Sequence, residues 1–463
     1  MPKIKHLHLD GRTLEGGGQL LCLAICISAL TTLPLKINDI RGNRAGGGGL
    51  KAQHLASVDW LAQACNANVE GSVKGSRKLV FEPGRGKGRA CDVSASFKKM
   101  TLADGRRVWE ARIDIGTAGS TGLALQAVLP FILFTKLPPS GSATEEETLP
   151  IHLTLSGGTN VSGSPSYEYI SQVLLPTLYA IGLPDMKTTL LKRGWSQGGT
   201  SIGSFTLEIP ARKDVMLPAF RLTSTHRQLC IPTHLRATFI APSSCHEQLK
   251  STLVPFIRTA WPAPAGGSPI PITIACEDSK HDKRLYLLLV ATVPNRDYDK
   301  NDGALSAPKE YLLASDWLYE RKIDRVNLGQ SHEEAVAAMV HAVFARLDAE
   351  WKSGAWVDEH LRDQLIIFQA LAQGKSEVCP GWEVNGLGLE AVGLEARQPS
   401  LHAETAGWVV EQMLGVRADG GGGCEGVGIN VEGQVDWRQL LRRRERERAA
   451  QEPEGGVRNL AVR

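Results

Sequence analysis

The feature that most constrains the fold of this chain is a recurring passage from a short strand, through a small-residue turn, into a helix. It occurs four times in the first half, with turns rich in glycine or serine at residues 15–19, 46–49, 116–120 and 156–160. Glycine permits positive φ angles and a close approach of the backbone to a ligand. A helix that begins directly after such a turn points free N–H groups at any anion there. Strands that alternate with helices in this way predict an α/β fold.

The residues around these turns predict a repeated βαβαββ unit. In the first unit, apolar patterns predict strands at residues 7–10, 35–40, 69–71 and 78–83, and helices at 20–30 and after Gly49. In the second unit, they predict strands at 112–115 and 151–155, and helices at 121–134 and 167–181. No exact sequence period relates the units, so the prediction is of a structural repeat. If the turns converge on one edge, several helix N-termini share one anion-binding face.

The pattern changes between residues 211 and 325, where the glycine turns are absent. Three strands (236–240, 271–275 and 285–292) and a helix (245–259) predict a smaller inserted α/β domain there. The main domain is then predicted to comprise residues 1–210 and 326–440, with helical patterns at 333–347 and 357–373. Residues 441–463 contain RRRERERAAQEPEGG and are predicted to be a charged, disordered tail.

Composition narrows the class of protein further. Of 463 residues, 42% are apolar and 22% charged, which is typical of a soluble globular protein. The net charge is only +3, so a nucleic-acid site has to be a local basic patch. No secretory signal and no apolar run of ~18 residues is apparent, which predicts no membrane segment. Nine cysteines without a CxxC pair suit a reducing, intracellular compartment.

Residues 40–54, IRGNRAGGGGLKAQH, predict a pocket for a phosphate group. Arg41 and Arg44 precede a run of four glycines, and the helix that follows carries Gln53 and His54. A guanidinium group is planar, permanently charged and matched to phosphate oxygens. The alternative is a strand, a flexible turn and a surface helix. A P-loop nucleotide-binding protein is excluded because the chain has no GxxxxGK[ST] motif.

Two further candidate groups lie in the last third of the chain. His402 stands near the predicted start of a helix, and Asp363 and Gln364 lie beside the apolar face of the helix predicted at residues 357–373. For His402 the alternative is a structural or merely exposed histidine. For Asp363 and Gln364 it is a solvated helix surface.

Six motifs, in this order, resemble the RNA 3′-terminal phosphate cyclase family. They are EGGGQ (15–19), IRGNR with the downstream QH (40–54), GTAGS with LALQAVLP (116–130), SGGTN (156–160), DEHLRDQL (358–365) and SLHAET (400–405). They span nearly the whole chain apart from the predicted insert, the loops and the tail. The resemblance implies a fold of repeated βαβαββ units with a smaller α/β domain inserted, which agrees with the break near residue 211.

The resemblance also implies a reaction, the ATP-dependent conversion of an RNA 3′-phosphate end to a 2′,3′-cyclic phosphate (EC 6.5.1.4). A histidine attacks the α-phosphate of ATP, and the AMP of this adduct then moves to the RNA 3′-phosphate. The neighbouring 2′-hydroxyl closes the cycle and releases AMP, so RNA is required. Adenylation supplies the leaving group that a terminal phosphate lacks, and the covalent intermediate divides one hard step into easier ones. Arginines and a divalent cation, Mg or Mn, would neutralise the transferring group.

The resemblance assigns roles to ten residues. His402 is the adenylated nucleophile, for which a neutral imidazole is suited. Five residues fall where the family holds ATP: Gln126, Pro165, His360, Asp363 and Gln364. Four fall where it holds phosphates, metal or the RNA end: Glu15, Arg41, Arg44 and Gln53. None lies in the predicted insert, which predicts that the insert contributes little to nucleotide chemistry.

A non-catalytic relative is the competing interpretation. A nucleolar group that is similar in fold lacks the histidine and serves in ribosome assembly. The presence of His402, of the paired arginines and of the QH pair favours the enzyme. Cys22 favours the other class, because the family has an arginine there; the family also commonly has a tyrosine where His360 stands. The resemblance predicts localisation in the nucleus, with the cytoplasm as the alternative.

Overall fold

A computed structural model describes residues 6–429 apart from 45–46, 85–95, 136, 138–148, 212–215, 224–229, 264–266, 297, 299–306, 321–327 and 384–394. The predicted tail, residues 441–463, lies outside the described residues, as does Gly46 of the glycine run.

The first unit has the predicted order of elements. They are β1 (Leu7–Asp10), α1 (Gly18–Thr31), β2 (Leu35–Asn38), α2 (Ala52–Ala64), β3 (Asn68–Glu70) and β4 (Leu79–Glu82). The sheet order is β1-β2-β4-β3, with β1 and β2 parallel and the other pairs antiparallel. Parallel neighbours need a crossover, which α1 supplies. Helix α1 is buried on nearly every side, as its apolar sequence predicts.

The second unit repeats this arrangement with one extra edge strand. Its elements are β5 (Lys98–Thr101), β6 (Arg107–Asp114), α3 (Thr121–Phe134), β7 (Ile151–Gly157), α4 (Tyr167–Tyr169), a π-helical turn (Ile170–Leu174), α5 (Leu175–Ala180), β8 (Lys187–Lys192) and β9 (Gly203–Ile209). The sheet order is β5-β6-β7-β9-β8, in which β6 and β7 are parallel. Helix α3 has the predicted bounds because Ser120 caps its first turn, accepting a hydrogen bond from the N–H of Leu123 at 3.1 Å.

A separate sheet follows the two-residue strand β10 (Arg221–Leu222). Its elements are β11 (His234–Ala241), α6 (His246–Ala260), β12 (Ile272–Asp278), β13 (Tyr286–Pro294) and β14 (Glu310–Leu318), and then α7 (Leu328–Lys352). The sheet order is β12-β11-β13-β14. Leu285, Leu287 and Leu289 pack in a second core with α6 and α7, whereas alternate residues such as Leu288 pack against the main core. Both faces of β13 are therefore covered, which explains its continuous apolar run.

Two contacts bear on the bounds of the insert, which were predicted at residues 211–325. Strand β10 pairs with β15 of the main domain, and the apolar face of α7, from Ala335 to Leu347, lies in the second core. A helix whose apolar stripe packs on a sheet belongs with that sheet. We therefore propose bounds of about residues 230–352 for the insert.

The third unit is interrupted by the insert. It comprises β10, α8 (Glu359–Leu371), β15 (Gln373–Val378), α9 (Leu401–Leu414) and β16 (Gly423–Val427). Strands β10 and β15 are parallel and β15 and β16 antiparallel, and an antiparallel bridge from Ala418 to Cys424 of β16 stands where the first unit has its edge strand β3. The helix predicted to reach residue 373 ends at Leu371, because Ala372 is already extended (φ −67°, ψ 159°) and strand β15 begins at Gln373. Helix α1 contacts α3 and α9, so a single core joins the three units.

Candidate functional site

A cavity of about 580 Å³ lies where the three units meet the insert. Its volume falls in the range of roughly 300–1,000 Å³ that ligand pockets occupy. All ten residues to which the resemblance assigns a role line it: Glu15, Arg41, Arg44, Gln53, Gln126, Pro165, His360, Asp363, Gln364 and His402. The first turns of α1, α2 and α9 and the first two turns of α3 and α8 contribute to its wall. Several helix N-termini therefore do share one face, as the glycine turns predict.

The glycines of EGGGQ allow α1 to begin against His54. A Cβ atom at Gly18 would lie 2.6 Å from Nε2 of His54. His54 is 2% exposed, and its Nδ1 accepts a hydrogen bond from the N–H of Lys51 at 3.1 Å. Burial, together with the charges of Arg41 and Lys51, lowers the pKa of His54 to about 3. The ring is therefore neutral near pH 7, and its position is fixed by the contact with Gly18 and the hydrogen bond from Lys51.

The change Gly18→Ala is expected to destabilise the protein. Overpacking a closely packed site costs about 1–3 kcal/mol, and here the nearest atom belongs to the His54 ring, which is 2% exposed and hydrogen-bonded to Lys51. The free energy of unfolding in urea would measure it. Gly420→Ala is the matched control, because a Cβ there meets no atom within 4 Å. Equal stability of the two variants would show that His54 can move aside.

The two arginines of IRGNR have different surroundings. Arg41 is 7% exposed, and its guanidinium group donates hydrogen bonds to the carbonyls of Gly47 (3.4 Å) and Gly49 (3.2 Å). It thus braces the glycine loop from within, with its own φ at 55°. Arg44 is 43% exposed and forms an ion pair with the buried carboxylate of Glu15. Of the two, Arg44 is the one whose charge is open to a ligand.

Helix α3 and the loop before α4 hold Gln126 and Pro165 at the cavity wall, and α2 holds Gln53 there. The carbonyl oxygen of Pro165 would lie 2.3 Å from a Cβ atom at Gly122, so this loop packs directly on the first turn of α3. Gln53, in the first turn of α2, approaches Gly119 before the same helix, where a Cβ would lie 2.9 Å from its Oε1. These contacts fix the wall near the predicted ATP position.

Helix α8 brings an acidic cluster to the cavity. Asp358 caps the helix through the N–H groups of His360 (3.1 Å) and Leu361 (3.0 Å), and accepts a 2.6 Å hydrogen bond from the hydroxyl of Tyr169. Burial alone would lower the pKa of His360, but the charges of nearby carboxylates, including Asp358, outweigh it and raise that pKa. Asp363 follows one turn later. Burial raises its pKa to about 7, against the opposing charge of His360.

The raised pKa of Asp363 makes the stability of the fold depend on pH. A carboxyl group whose folded pKa lies above its unfolded value destabilises the fold once it ionises. The cost grows from about pH 4 and is complete above about pH 7, given the shift from 3.8 to about 7. Asp363→Asn should therefore stabilise the protein on the order of 1 kcal/mol at pH 8, after allowance for solvent screening, and less at pH 5.

Urea unfolding at the two pH values measures this difference. The exposed residue Asp185, changed to asparagine, controls for the general loss of a negative charge. A stabilisation by Asp363→Asn that is larger at pH 5 than at pH 8 would contradict the account.

His402 stands at the second residue of α9, within the helix and not before it. Ser400 caps this helix through the N–H of Ala403 at 3.2 Å. Thr405, one turn on, accepts a 3.1 Å hydrogen bond from the N–H of Glu15 and so ties α9 to the EGGGQ turn. Burial, followed by the charges of Arg44 and His360, lowers the pKa of His402. The imidazole is thus neutral near pH 7, and Nδ1 lies 2.7 Å from Oε1 of Gln19.

The insert also supplies residues to the cavity wall. The prediction that the insert contributes little to nucleotide chemistry did not anticipate these residues. Strand β14 supplies Asp316, Trp317 and Leu318, and β13 supplies Tyr286. Asp316 accepts a hydrogen bond from the hydroxyl of Tyr286 at 2.8 Å. Sequence reasoning missed these residues because no motif marks them. Arg193 holds the insert in place by pairing with Glu168 of the main domain and Glu277 of β12.

Cys22, at the position where the resemblance implies an arginine, does not line this cavity. It is 2% exposed in the main core, and burial raises the pKa of its thiol to about 12. A neutral, apolar group therefore replaces the cation, and the cationic side chains at the cavity wall are Arg41, Arg44, Lys51 and Arg346.

Two kinds of feature are absent from the described residues. None of the helices in these ranges has the length and apolar character needed to cross a membrane. Within the same ranges, no group of three or more histidine, cysteine, aspartate or glutamate side chains is arranged to hold a metal ion.

The fold and the cavity define an α/β protein of repeated βαβαββ units whose site is suited to a phosphorylated ligand. The family of RNA 3′-terminal phosphate cyclases matches residues 13–419. This chain belongs to that family, whose members are ATP-dependent enzymes.

Individual relatives agree with this membership. The RNA 3′-terminal phosphate cyclase of Caldivirga maquilingensis is 29% identical over 383 residues, which cover 80% of this chain and 86% of that protein. That of Methanosarcina mazei is 28% identical over 420 residues, covering 89% and 96%. That of Pyrococcus furiosus is 37% identical over 213 residues, covering 46% of this chain and about half (52%) of that protein.

Proposed function

We propose that this protein uses ATP to convert an RNA 3′-phosphate end to a 2′,3′-cyclic phosphate, through a covalent histidine–AMP intermediate on His402 and an RNA–adenylate. The observation that carries the proposal is the convergence of all ten assigned residues on one cavity. They come from four helices (α2, α3, α8 and α9) and from the loops before α1, α2 and α4, and the three units have no recognisable sequence period. Chance placement would not bring a neutral histidine, two arginines and a buried carboxylate to the same wall.

The site supports nucleophilic attack by His402. Its lowered pKa leaves the imidazole unprotonated near pH 7, which a nitrogen nucleophile requires. Arg44 has an open guanidinium group next to the buried Glu15, so a phosphate can share its charge. The first turns of α2 and α9 also line this cavity, and the positive end of a helix dipole favours an anion there. Together these features bind and orient the triphosphate while charge develops on the leaving pyrophosphate.

A divalent cation fits this site only as a bridge to the ligand. Magnesium is usually held by one or two carboxylates together with substrate phosphates, not by a cage of protein ligands. Glu15 provides one carboxylate beside the predicted phosphate position. A cation there would neutralise phosphate charge, and Glu15 is the residue that would hold it.

Product analysis tests the proposed function. An RNA oligonucleotide with a labelled 3′-phosphate is incubated with the protein, ATP and magnesium or manganese. The label should become resistant to phosphatase, and one AMP should form for each protected end. An oligonucleotide with a 3′-hydroxyl is the control. Label that stays sensitive to phosphatase under all conditions would contradict the proposal.

The alternative is a non-catalytic role in ribosome assembly. In that class the fold is similar but the nucleophilic histidine is absent. The presence of His402 in the cavity, with a lowered pKa, favours the enzyme. For an RNA-end enzyme of this kind we also propose a nuclear location, which microscopy of the tagged protein would test; a cytoplasmic signal alone would contradict it.

A further inference from the structure

Gln19 and His402 meet at the cavity although 383 residues separate them in the sequence. Each is the second residue of its helix, Gln19 in α1 and His402 in α9, and the two helices pack against each other. Oε1 of Gln19 lies 2.7 Å from Nδ1 of His402. Gln19 is only 5% exposed, so its side chain is held by its surroundings and is not free to choose other partners.

The orientation of the Gln19 amide follows from the residue on its other side, Asp363. Its nitrogen, Nε2, is buried and reaches no partner in full hydrogen-bonding geometry, but Gln19 lies close enough to Asp363 to lower the pKa of that carboxyl group. A carboxyl group offers an acceptor oxygen in either protonation state. The amide nitrogen therefore belongs on the side of Asp363, and the amide oxygen on the side of His402. This assignment rests on the hydrogen-bond network, as amide orientations do.

With the oxygen towards the ring, Nδ1 of His402 must carry the hydrogen and donate it. A neutral imidazole has one N–H and one lone pair. The lone pair is then on Nε2. This is the nitrogen that can form a bond to phosphorus.

We propose that Gln19 is a positioning residue that holds His402 in the Nδ1–H tautomer and so presents the Nε2 lone pair as the nucleophile. This inference rests on the proposed function and adds a role that the ten assigned residues do not include. The lone pair of Nε2 forms the N–P bond while the bond from the α-phosphorus to the bridging oxygen breaks, and its electron pair leaves with pyrophosphate. Nδ1 keeps its hydrogen throughout, bonded to Gln19.

An amide suits this role better than a carboxylate. A carboxylate beside Nδ1 would favour the protonated imidazolium and raise the pKa of the ring, as an opposite charge does. The neutral amide fixes the tautomer without adding that charge. In serine proteases a carboxylate orients the catalytic histidine in the same way, and a wrong tautomer there lowers the rate by about 10⁴.

Three variants test the role by kinetics. Gln19→Leu removes the acceptor at similar size and should slow self-adenylation by about 10- to 100-fold, the usual cost of losing such a supporting hydrogen bond. Its KM for ATP should change little. Gln19→Glu restores the hydrogen-bond acceptor but adds a negative charge. The rate of self-adenylation by this variant should therefore recover at high pH, and the acid limb of its pH–rate profile should move to higher pH. Gln63→Leu, the same change on the exposed face of α2, is the control.

Nitrogen NMR of the protein with ¹⁵N-labelled histidine gives a readout that needs no activity. The His402 signals are assigned by their absence from the His402→Asn variant. Wild-type protein should show a hydrogen on Nδ1 and a lone pair on Nε2, and Gln19→Leu should lose this preference. A hydrogen on Nε2 in the wild type, or a wild-type adenylation rate in Gln19→Leu, would overturn the inference. Absence of adenylation together with the expected tautomer would instead count against the proposed function alone.

Discussion

Replacement of His402 by asparagine is expected to abolish labelling of the protein by ATP that carries its label in the α-phosphate. Asparagine is close to histidine in size but cannot form the N–P bond, so no covalent AMP should survive denaturing electrophoresis. Cyclisation of 3′-phosphate RNA should be lost with it. The binding of ATP itself should persist, because the remaining cavity residues are unchanged. The wild-type adduct should be a phosphoramidate, labile in acid and stable in mild base.

The structure ranks the rival histidines at the cavity below His402. His54 is enclosed, with Nδ1 engaged by Lys51 and Nε2 against Gly18. His360 lies among carboxylates that raise its pKa, which favours the protonated ring without a lone pair. His54→Asn and His360→Asn therefore serve as matched comparisons, and both should retain some labelling. If label persists in His402→Asn and disappears in one of these, the nucleophile has been misassigned.

Replacement of Arg44 by lysine is expected to slow cyclisation by roughly tenfold to a hundredfold, because a charged hydrogen bond contributes about 1.5–3 kcal/mol. Lysine keeps the charge but cannot reproduce the planar fork that binds two phosphate oxygens at once. Since the side chain is open to the cavity, the change should act on ligand binding more than on stability. Rates with 3′-phosphate RNA at saturating ATP, together with the free energy of unfolding, separate these effects.

Arg106→Lys is the control for this comparison. Arg106 also pairs with carboxylates, those of Asp104 and Glu208, but it lies at the β5–β6 turn and not at the cavity. It should leave the rate unchanged. An Arg44→Lys variant that cyclises 3′-phosphate RNA at the normal rate would remove Arg44 from the phosphate site.

Local pattern was sufficient to predict the units of this fold. The α3 bounds followed from an apolar run after a small-residue turn, and the shared face of helix N-termini followed from the glycine turns. Where the predicted bounds of an element were wrong, the reason lies in pairing with other parts of the chain or in the local backbone conformation. The strand predicted at residues 112–115 begins at Arg107, because β6 gains partners on both sides. The α8 helix ends two residues early, because Ala372 is extended and the chain pairs as β15 from Gln373.

Packing between distant segments was not predictable from one sequence. The assignment of α7 to the insert depends on which sheet its apolar face covers, and that face would suit either core. Asp316 and Tyr286 reach the cavity from the insert without any motif. Gln19 was visible in EGGGQ, but its partner lies in α9. Asking which hydrogen-bond partner each glutamine of a motif has would have singled out Gln19 from the sequence.

The most direct test of the central claim is a single-turnover transfer from the isolated adduct. Wild-type protein is labelled with α-labelled ATP, freed of nucleotide, and mixed with 3′-phosphate RNA. The account predicts that the label leaves the protein and that one cyclic end and one AMP appear for each adduct without further ATP. RNA with a 3′-hydroxyl should leave the adduct intact. Failure of the wild type to take up label, or an adduct that 3′-phosphate RNA does not discharge, would contradict the account.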